Sequence, residues 1–557
     1  RPFRGPPHLR LKAHTLGYGR SDFLNARSGT MNFDPKRRLF MNAWAMGAAA
    51  ASISSPWRGS AMAQTPKFIS DPFTMGVASG DPTQDGFVLW TRLAPEPLDP
   101  DYSIDGLVDV QCEIAEDEAF TKVVRREFAV ARPDNAHSVH VEVAGLKPNR
   151  PYFYRFRVGL AVSPVGRTRT TPEFGAPFAK MRFAWHSCAH YEQGLFTAYG
   201  DLAKQNPDVI LSLGDYIYEV SYGAAVRRMP IEDAFSLSDY RLIHAIHKMD
   251  PDLQAAHAAA PWLFIWDDHE VANDYQADFG KVLPGQDPAK DFPIRKYNAY
   301  KAFFESQPLR ARSRFDAVNR MRIYGQSGWG DLLDFTLLDT RQYRSKGACL
   351  SPGRQEAESV SRATCAELQD PSRTILGARQ ERFVSENFMR APFKWSVLVQ
   401  PTIFSTLFQK NSQGDPTAFT DGWSGFEPAR QKIIDIMARR RRDVSSVVIG
   451  GDMHGFWAND VKQDYAKPES DTVAVEFVGG SISTMSFNYD RWNRLFPDNP
   501  HLKWQDDRVR GYGLVDVTPQ TMDVRLMSTP TTWRRDQVFK PLKRYVVERG
   551  KAALNEA

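Results

Sequence analysis

Six short polar clusters hold the residue types that bind metal ions and move protons. They are His186-Ser187-Cys188, Gly214-Asp215-Tyr216-Ile217-Tyr218-Glu219, Asp267-Asp268-His269-Glu270, Asp339-Thr340-Arg341-Gln342-Tyr343-Arg344, Gln400-Pro401-Thr402 and Gly450-Gly451-Asp452-Met453-His454-Gly455. A Cys188 thiolate, a Tyr218 phenolate and a His454 imidazole suit a transition metal, and phenolate favours ferric iron. Asp215, Asp268 and Asp452 offer hard oxygens for Ca²⁺, Mg²⁺ or Mn²⁺. Asp215 has two carboxylate oxygens and can bridge two ions. That layout hydrolyses phosphate esters: one metal makes hydroxide and both clamp the oxygens of an in-line displacement. Taken singly, Cys188 also reads as a buried thiol, Tyr218 as core and His269 as a capping or core histidine. Four clusters holding Cys, Asp, Asp-His and Asp-x-His exceed what turn chemistry explains.

The spacing carries geometry. Asp215 and Tyr218, three apart in a tight turn, can converge on one point. Asp452 and His454, two apart, face one side if the segment is extended. His269 follows Asp268, so it points elsewhere, toward an incoming phosphate or a leaving oxygen. A protonated imidazole there is a general acid, worth ~10²–10⁴-fold. The competing reading has His269 bonding only a neighbouring loop.

These clusters need elements behind them. Each follows an apolar run, starting at Arg182, Val209, Trp262, Leu332, Trp395 and Val447, and helical patterns separate the runs. That is α/β grammar, in which ligand sites sit at the carboxyl ends of strands. Before it, from Phe73 to about Pro172, come short period-two runs at Gly86, Val108, Ser138 and Tyr152. They predict an immunoglobulin-like or fibronectin-like sandwich. Cys112 reads as core, His137 and His140 as surface residues, and Ser163–Pro172 as a linker.

Composition sets the outer bounds. The 557 residues are 42% apolar, 25% charged and 12% aromatic, with 37 Gly and 37 Pro, which excludes a disordered chain, a fibre and a disulfide scaffold. No apolar run reaches the ~18 residues of a membrane span. The net charge of +5 comes from residues 1–63, with ten Lys and Arg against two acids; the rest has 61 against 64. A nucleic-acid partner is therefore not implied. Within that segment, Lys36-Arg37-Arg38 precede an Ala-rich run, Leu39 to Ile53, and Ala61-Met62-Ala63 fits a cleavage site. Paired arginines before Leu39-Phe40 resemble a twin-arginine signal over residues 31–63, with residues 1–30 upstream of it. The twin-arginine export machinery is thus an expected partner, and the expected location is periplasmic or secreted.

The blocks resemble the PhoD-type alkaline phosphatases, relatives of the purple acid phosphatases in the calcineurin-like metallophosphoesterase superfamily. The residues that carry this are Phe73–Pro82 with Val88–Leu93, Ser187-Cys188, Leu213–Glu219, Trp266–Glu270, Leu338–Arg344 and Gly450–Gly455. The resemblance implies a sandwich domain over 64–172, then a four-layer αββα metallophosphoesterase domain over 173–557. It implies Fe³⁺ held by Cys188, Asp215, Tyr218 and His454, and Ca²⁺ held by Asp215, Asp268 and Asp452. In the wider superfamily, Asn-His-Glu stands where Asp268-His269-Glu270 stand here. Gly-His-x-His similarly becomes Gly451-Asp452-Met453-His454, a shift toward Ca²⁺. Gln-Asn usually follows Ser-Cys; here Ala189-His190 follow.

Other positions say less. Cys349 and Cys365 suit a disulfide in an exported protein. Arg341 and Arg344 read as phosphate contacts or surface ion pairs, Arg439–Arg442 as a solvated helix end, and His186 and His190 as outer contacts to the metal ligands. From Leu502 onward the chain reads as charged and partly helical. The expected function is an exported alkaline phosphatase acting on phosphomonoesters and some phosphodiesters. A phosphodiesterase or phospholipase D-like enzyme with the same metals is the alternative, and a non-catalytic surface-binding protein is the non-enzymatic one.

Overall fold

The first eight strands are β1 (Val77–Thr83), β2 (Gly86–Arg92), β3 (Val108–Ala115), β4 (Val123–Ala131), β5 (Ser138–Val143), β6 (Pro151–Val158), β7 (Ala161–Val162) and β8 (Gly166–Arg169), with burial alternating most clearly in β6 and β8. In β6, Tyr152, Tyr154, Phe156 and Val158 point inward while the residues between them are more open. Strands β4-β3-β6-β7, with β8 on β6, form one sheet. Its Val110, Cys112, Ile114 and Phe156 share a core with Phe87 and Leu89 of β2 and Val139 and Val141 of β5. This computed structural model describes residues 68–99, 102–223, 225–313, 320–388, 392–486 and 488–557. The expected signal and the segment upstream of it lie outside the described residues.

Two expectations change in this region. Ser163–Pro172 is not a linker, because it contains β8, which pairs with β6 through Tyr152 and Thr168. His137 and His140 are not surface residues. His137 is buried, and His140 Nε2 donates to the carbonyls of Phe304 and Gln307 at 3.0 and 2.9 Å.

The chain continues through β9 (Met181–His186), α1 (Thr197–Lys204), β10 (Val209–Leu213), α2 (Leu237–Lys248), α3 (Pro251–Ala259), β11 (Trp262–Ile265) and α4 (Pro288–Ser306). Next come β12 (Gly325–Trp329), β13 (Leu333–Leu337), β14 (Ser359–Ser361), α5 (Gly377–Asn387), β15 (Trp395–Val399), β16 (Gln409–Lys410), β17 (Pro416–Phe419) and α6 (Glu427–Arg440). The last elements are β18 (Ser445–Gly450), β19 (Phe456–Lys462), β20 (Thr472–Val478), α7 (Tyr489–Asn493), β21 (Leu502–Asp506), β22 (Arg510–Val517), β23 (Thr521–Thr529), β24 (Lys540–Glu548) and β25 (Asn555–Glu556).

Two large sheets result, ordered β25-β24-β23-β22-β9-β10-β11-β1-β2-β5 and β12-β13-β15-β18-β20-β19-β21. Strands β10, β11, β13, β15 and β18 are buried along their whole length, as continuous apolar runs in parallel sheets are. The sheets face each other: Phe183 of β9 meets Phe335 of β13 edge-on, with ring centroids 5.0 Å apart. On the outer side of the first sheet, Trp262 stacks on His257 of α3 and His186 meets Tyr199 of α1. Behind the second sheet, Leu398 and Val448 pack with Val384 of α5 and Ile433, Ile434 and Met437 of α6.

The N-terminal strands are not separate from this scaffold. β1 pairs in parallel with β11 at Gly80 and Trp262, so one sheet runs unbroken from β5 to β25. A Cβ at Gly80 would meet the Pro308 carbonyl oxygen at 2.5 Å, so only glycine allows the approach. The segment from Leu502 is five strands with no helix among its described residues, which corrects the partly helical expectation. Its charges lie on one face of alternating strands: in β23, Met522, Val524 and Leu526 are buried while Thr521, Asp523 and Arg525 are more open. Among the described residues, no helix is long and apolar enough to cross a membrane.

Candidate metal centre

Parallel strands deliver the candidate ligand residues to one end of the sheets. Cys188 follows β9, Asp215 follows β10, Asp268 and His269 follow β11, and Asp452 and His454 follow β18. The turn after β10 needs Gly214: its φ is +104°, and a Cβ would sit 2.4 Å from the Asp267 backbone nitrogen. Ligand atoms of Cys188, Asp215 and His454 lie within 4.8 Å of one another, as do those of Asp215, Asp268 and His269. Asp215 is common to both clusters. Its Oδ2 lies 3.6 Å from Cys188 Sγ and accepts from the Tyr218 hydroxyl at 3.1 Å. That hydroxyl is also 3.1 Å from His454 Nε2. The other oxygen, Oδ1, is buried without a protein hydrogen-bond partner.

Asp452 is in neither cluster, and its Oδ2 accepts from Thr402 Oγ1 at 2.9 Å. The segment from 452 to 454 is not extended: φ is +65° at Asp452 and +50° at His454. Strand alternation therefore does not govern these two side chains. Cys188 and Asp215 are also left-handed, at φ +55° and +52°. Such backbone costs about 1–2 kcal/mol per residue and gathers at functional sites.

A set of partners holds this geometry. Glu270, buried, accepts from the backbone N–H groups of Asp215 at 3.1 Å, Tyr216 at 2.8 Å and Asp267 at 2.9 Å, tying the turns after β10 and β11 together. Glu219 Oε2 holds His269 Nδ1 at 2.7 Å. The Thr484 hydroxyl donates to the Cys188 carbonyl at 2.8 Å. Arg510 donates to the His454 carbonyl at 2.6 Å. His190 packs on the Tyr218 ring with centroids 4.5 Å apart, while His186 faces Tyr199 on the other side of β9.

Arg341 and Arg344 are buried, not surface pairs. Arg341 Nε donates to Asp267 Oδ1 at 2.6 Å, and its two Nη atoms grip Asp421 at 2.6 and 2.8 Å. Its Nη2 is 3.6 Å from Asp268 Oδ1, and Arg344 adds a 3.0 Å bond to Asp421. Glu219 and Glu270 stand inside the sequence clusters but carry no signal of these tasks. Thr402 ends a sequence cluster without a role read for it, and Asp421 and Arg510 lie outside every motif.

Burial dominates the electrostatics. It pushes the Asp215 carboxyl, the Cys188 thiol and the Tyr218 phenol well above their usual ranges. Asp452 is pushed up to about 7 by burial and by the charges of Asp421 and Asp268. Burial also acts on Asp268, but Arg341 and His269 outweigh it and hold that carboxyl below its usual range. His454 falls to about 3, through burial and then His269. Burial would lower His269 too, yet Glu219, Asp268 and Asp215 outweigh it and raise the imidazole well above the histidine range. Thiol, phenol and carboxyl groups must lose protons to bind metal, and a cation is what offsets the cost of charging them in a buried place. The orphaned Asp215 Oδ1 and the mixed sulfur, nitrogen and oxygen donors fit a site for two ions sharing one carboxylate.

The model of the PhoD-like phosphatase family matches residues 183–526, and that of the PhoD-like phosphatase N-terminal domain matches residues 59–172. This chain belongs to the PhoD-like phosphatase family. It is 38% identical over 501 residues to alkaline phosphatase D of Bacillus subtilis (strain 168), covering 88% of this chain and 81% of that protein. A solved structure titled "Structure of PhoD" superposes with a TM-score of 0.81 at 37% identity, covering 88% of this chain and 93% of that one. The chain is thus a phosphatase, a hydrolase of the alkaline phosphatase D type, and the resemblance read from its motifs holds.

Proposed function

We propose that this PhoD-like phosphatase is exported and hydrolyses phosphomonoesters, and some phosphodiesters, with an alkaline optimum. We assign Fe³⁺ to Cys188, Asp215, Tyr218 and His454, and Ca²⁺ to Asp215, Asp268 and Asp452. The observation that carries the reading is one carboxylate, Asp215, shared by two donor clusters at the ends of parallel strands. The same reading divides the chain into a signal over 31–63, an immunoglobulin-like sandwich over 64–172 and a four-layer αββα catalytic domain over 173–557. The facing sheets and the shared core of β2, β3, β5 and β6 support two cores, which the β1–β11 pairing joins in one continuous sheet.

When bound, such ions supply Lewis acidity toward a phosphoryl oxygen and lower the pKa of water. The chain's own groups do the rest. Arg341 keeps Asp268 ionised and faced to the centre. Glu270 fixes the turns that carry Asp215 and Asp268. Glu219 accepts the Nδ1–H hydrogen bond of His269 and favours its charged form, which leaves Nε2–H as the donor to the leaving oxygen. The Tyr218 ring lies 4.1 Å from the His269 ring, centroid to centroid, and limits its swing.

The test is hydrolysis of p-nitrophenyl phosphate by protein supplied with iron and Ca²⁺, from pH 6 to pH 10. Asp215→Asn should abolish turnover and lower bound iron and calcium together. No hydrolysis by the loaded wild type overturns the reading. Zinc alone in elemental analysis, with activity intact, overturns the ion assignment and leaves the phosphatase standing.

A further inference from the structure

Away from the metal centre, a cavity of 490 Å³ opens where the start of α5 meets the segments around Tyr324 and Tyr343. None of the proposed metal ligands lines it. Among the described residues its wall carries four arginines, Arg312, Arg320, Arg322 and Arg379, and one carboxylate, Asp278. Asp278 is already paired with Lys296. Among the described residues, Arg322 and Arg379 form no salt bridge with a carboxylate, while Arg312 acts electrostatically on buried Asp81. Outside residues 1–63 the chain has three more acids than bases, so this rim does not reflect a generally basic surface.

The cavity is ordered as well as charged. The Arg322 guanidinium lies 4.9 Å from the Tyr324 ring centroid and that of Arg320 lies 5.9 Å from Tyr343, which fixes the planes of two forks. The floor is held by two buried amides. Gln342 bonds Asp339 at 2.7 Å and Met321 at 2.5 Å, and Gln380 bonds the Asp339 carbonyl at 2.7 Å. The Thr374 hydroxyl accepts from the Gly377 N–H at 2.8 Å at the start of α5, and the first turn of that helix borders the same space and contains no acid. Its backbone N–H groups add to the positive potential of the arginines. Planar guanidinium forks match phosphate and sulfate oxygens better than a lysine point charge does. The volume is that of a small-ligand site.

We propose that this cavity binds a compact polyanion, a molecule bearing three or more phosphate or sulfate groups, independently of the metal centre. The probe is inositol hexasulfate, whose sulfate esters are not phosphate esters. Binding is followed by titration calorimetry with inorganic phosphate present to occupy the metal centre. The Arg322→Glu/Arg379→Glu variant should bind about tenfold or more weakly, and the milder Arg379→Gln, at an exposed position, about threefold more weakly. Arg549→Glu, an exposed control elsewhere, should stay within about twofold, and affinity should fall more steeply with salt in the wild type than in the double variant. Hydrolysis of a small phosphomonoester should be unchanged in all three variants, which separates this proposal from the phosphatase reading. Equal binding by wild type and double variant, an equal loss in Arg549→Glu, or no binding by wild type at low salt overturns it.

Discussion

Replacing Arg341 with methionine keeps most of the side-chain volume and removes the cation on which three carboxylates converge. Arg341 is 1% exposed, and Asp267 and Asp421 are nearly as buried. Asp267 has one oxygen on Arg341 and the other without a hydrogen-bond partner in the protein, so the substitution leaves it with no cationic partner. Asp421 loses two short bonds but keeps Arg344 at 3.0 Å. Breaking a buried pair by removing one member costs about 3–5 kcal/mol. The retained Arg344 contact keeps the expected loss for Arg341→Met within that range despite the number of contacts. Urea unfolding should show the loss as a lower midpoint at unchanged slope. Arg341→Lys should fall between, because an ammonium satisfies one carboxylate and cannot grip Asp421 with two parallel bonds. Adding Asp267→Asn to Arg341→Met should restore part of the loss, because the stranded charge is gone. A loss below about 1 kcal/mol for Arg341→Met would mean that the guanidinium adds nothing to the stability of these buried groups.

Three further outcomes are expected. His269→Ala should lower kcat strongly for an alkyl phosphate and much less for an activated aryl phosphate, within the ~10²–10⁴-fold of general acid catalysis; equal losses at unchanged metal content would make His269 a positioning residue. Asp334, buried in β13 among Gln326, Thr336 and Ser396, is pushed up from 3.8 to about 6 by burial. Its stabilisation is therefore full below about pH 4 and lost as pH rises through 6, so Asp334→Asn should gain about 3 kcal/mol on the wild type between pH 4 and pH 8, and a pH-independent difference would refute this. Cys349 and Cys365 form a disulfide closing 16 residues, and Cys349→Ser should cost about 3 kcal/mol by thermal unfolding if loop entropy governs the effect.

The strands behind the metal centre were legible because each is a short apolar run stopped by a polar cluster, and such runs suit buried parallel strands and little else. Cys188, Asp215, Tyr218, Asp268 and His454 were legible because thiol, phenol, carboxyl and imidazole groups seldom end strands together. Three things were not legible. The backbone turns left-handed at Cys188, Asp215, Asp452 and His454, and no residue type forecasts that, so the extended reading of 452–454 failed. The Arg341–Asp421 contact joins residues 80 apart and depends on where the second sheet lies. The C-terminal strands were obscured by their charge: Arg525 and Asp516 pair with each other on the open face of β22 and β23, so the segment looks polar although every second residue is core.

Strand β22 lies beside β9, the strand that leads to Cys188, and Arg510 at its start reaches the carbonyl of His454. Those contacts are made by residues that follow every proposed ligand in the chain. During synthesis, Cys188, Asp215, Asp268 and His454 all leave the ribosome before the strand that closes their sheet. A chain stopped before Arg510 would carry every proposed ligand and lack both the bond to the His454 carbonyl and the strand beside β9. Completion of the candidate centre is thus expected to wait on synthesis through β22, which lies beside β9.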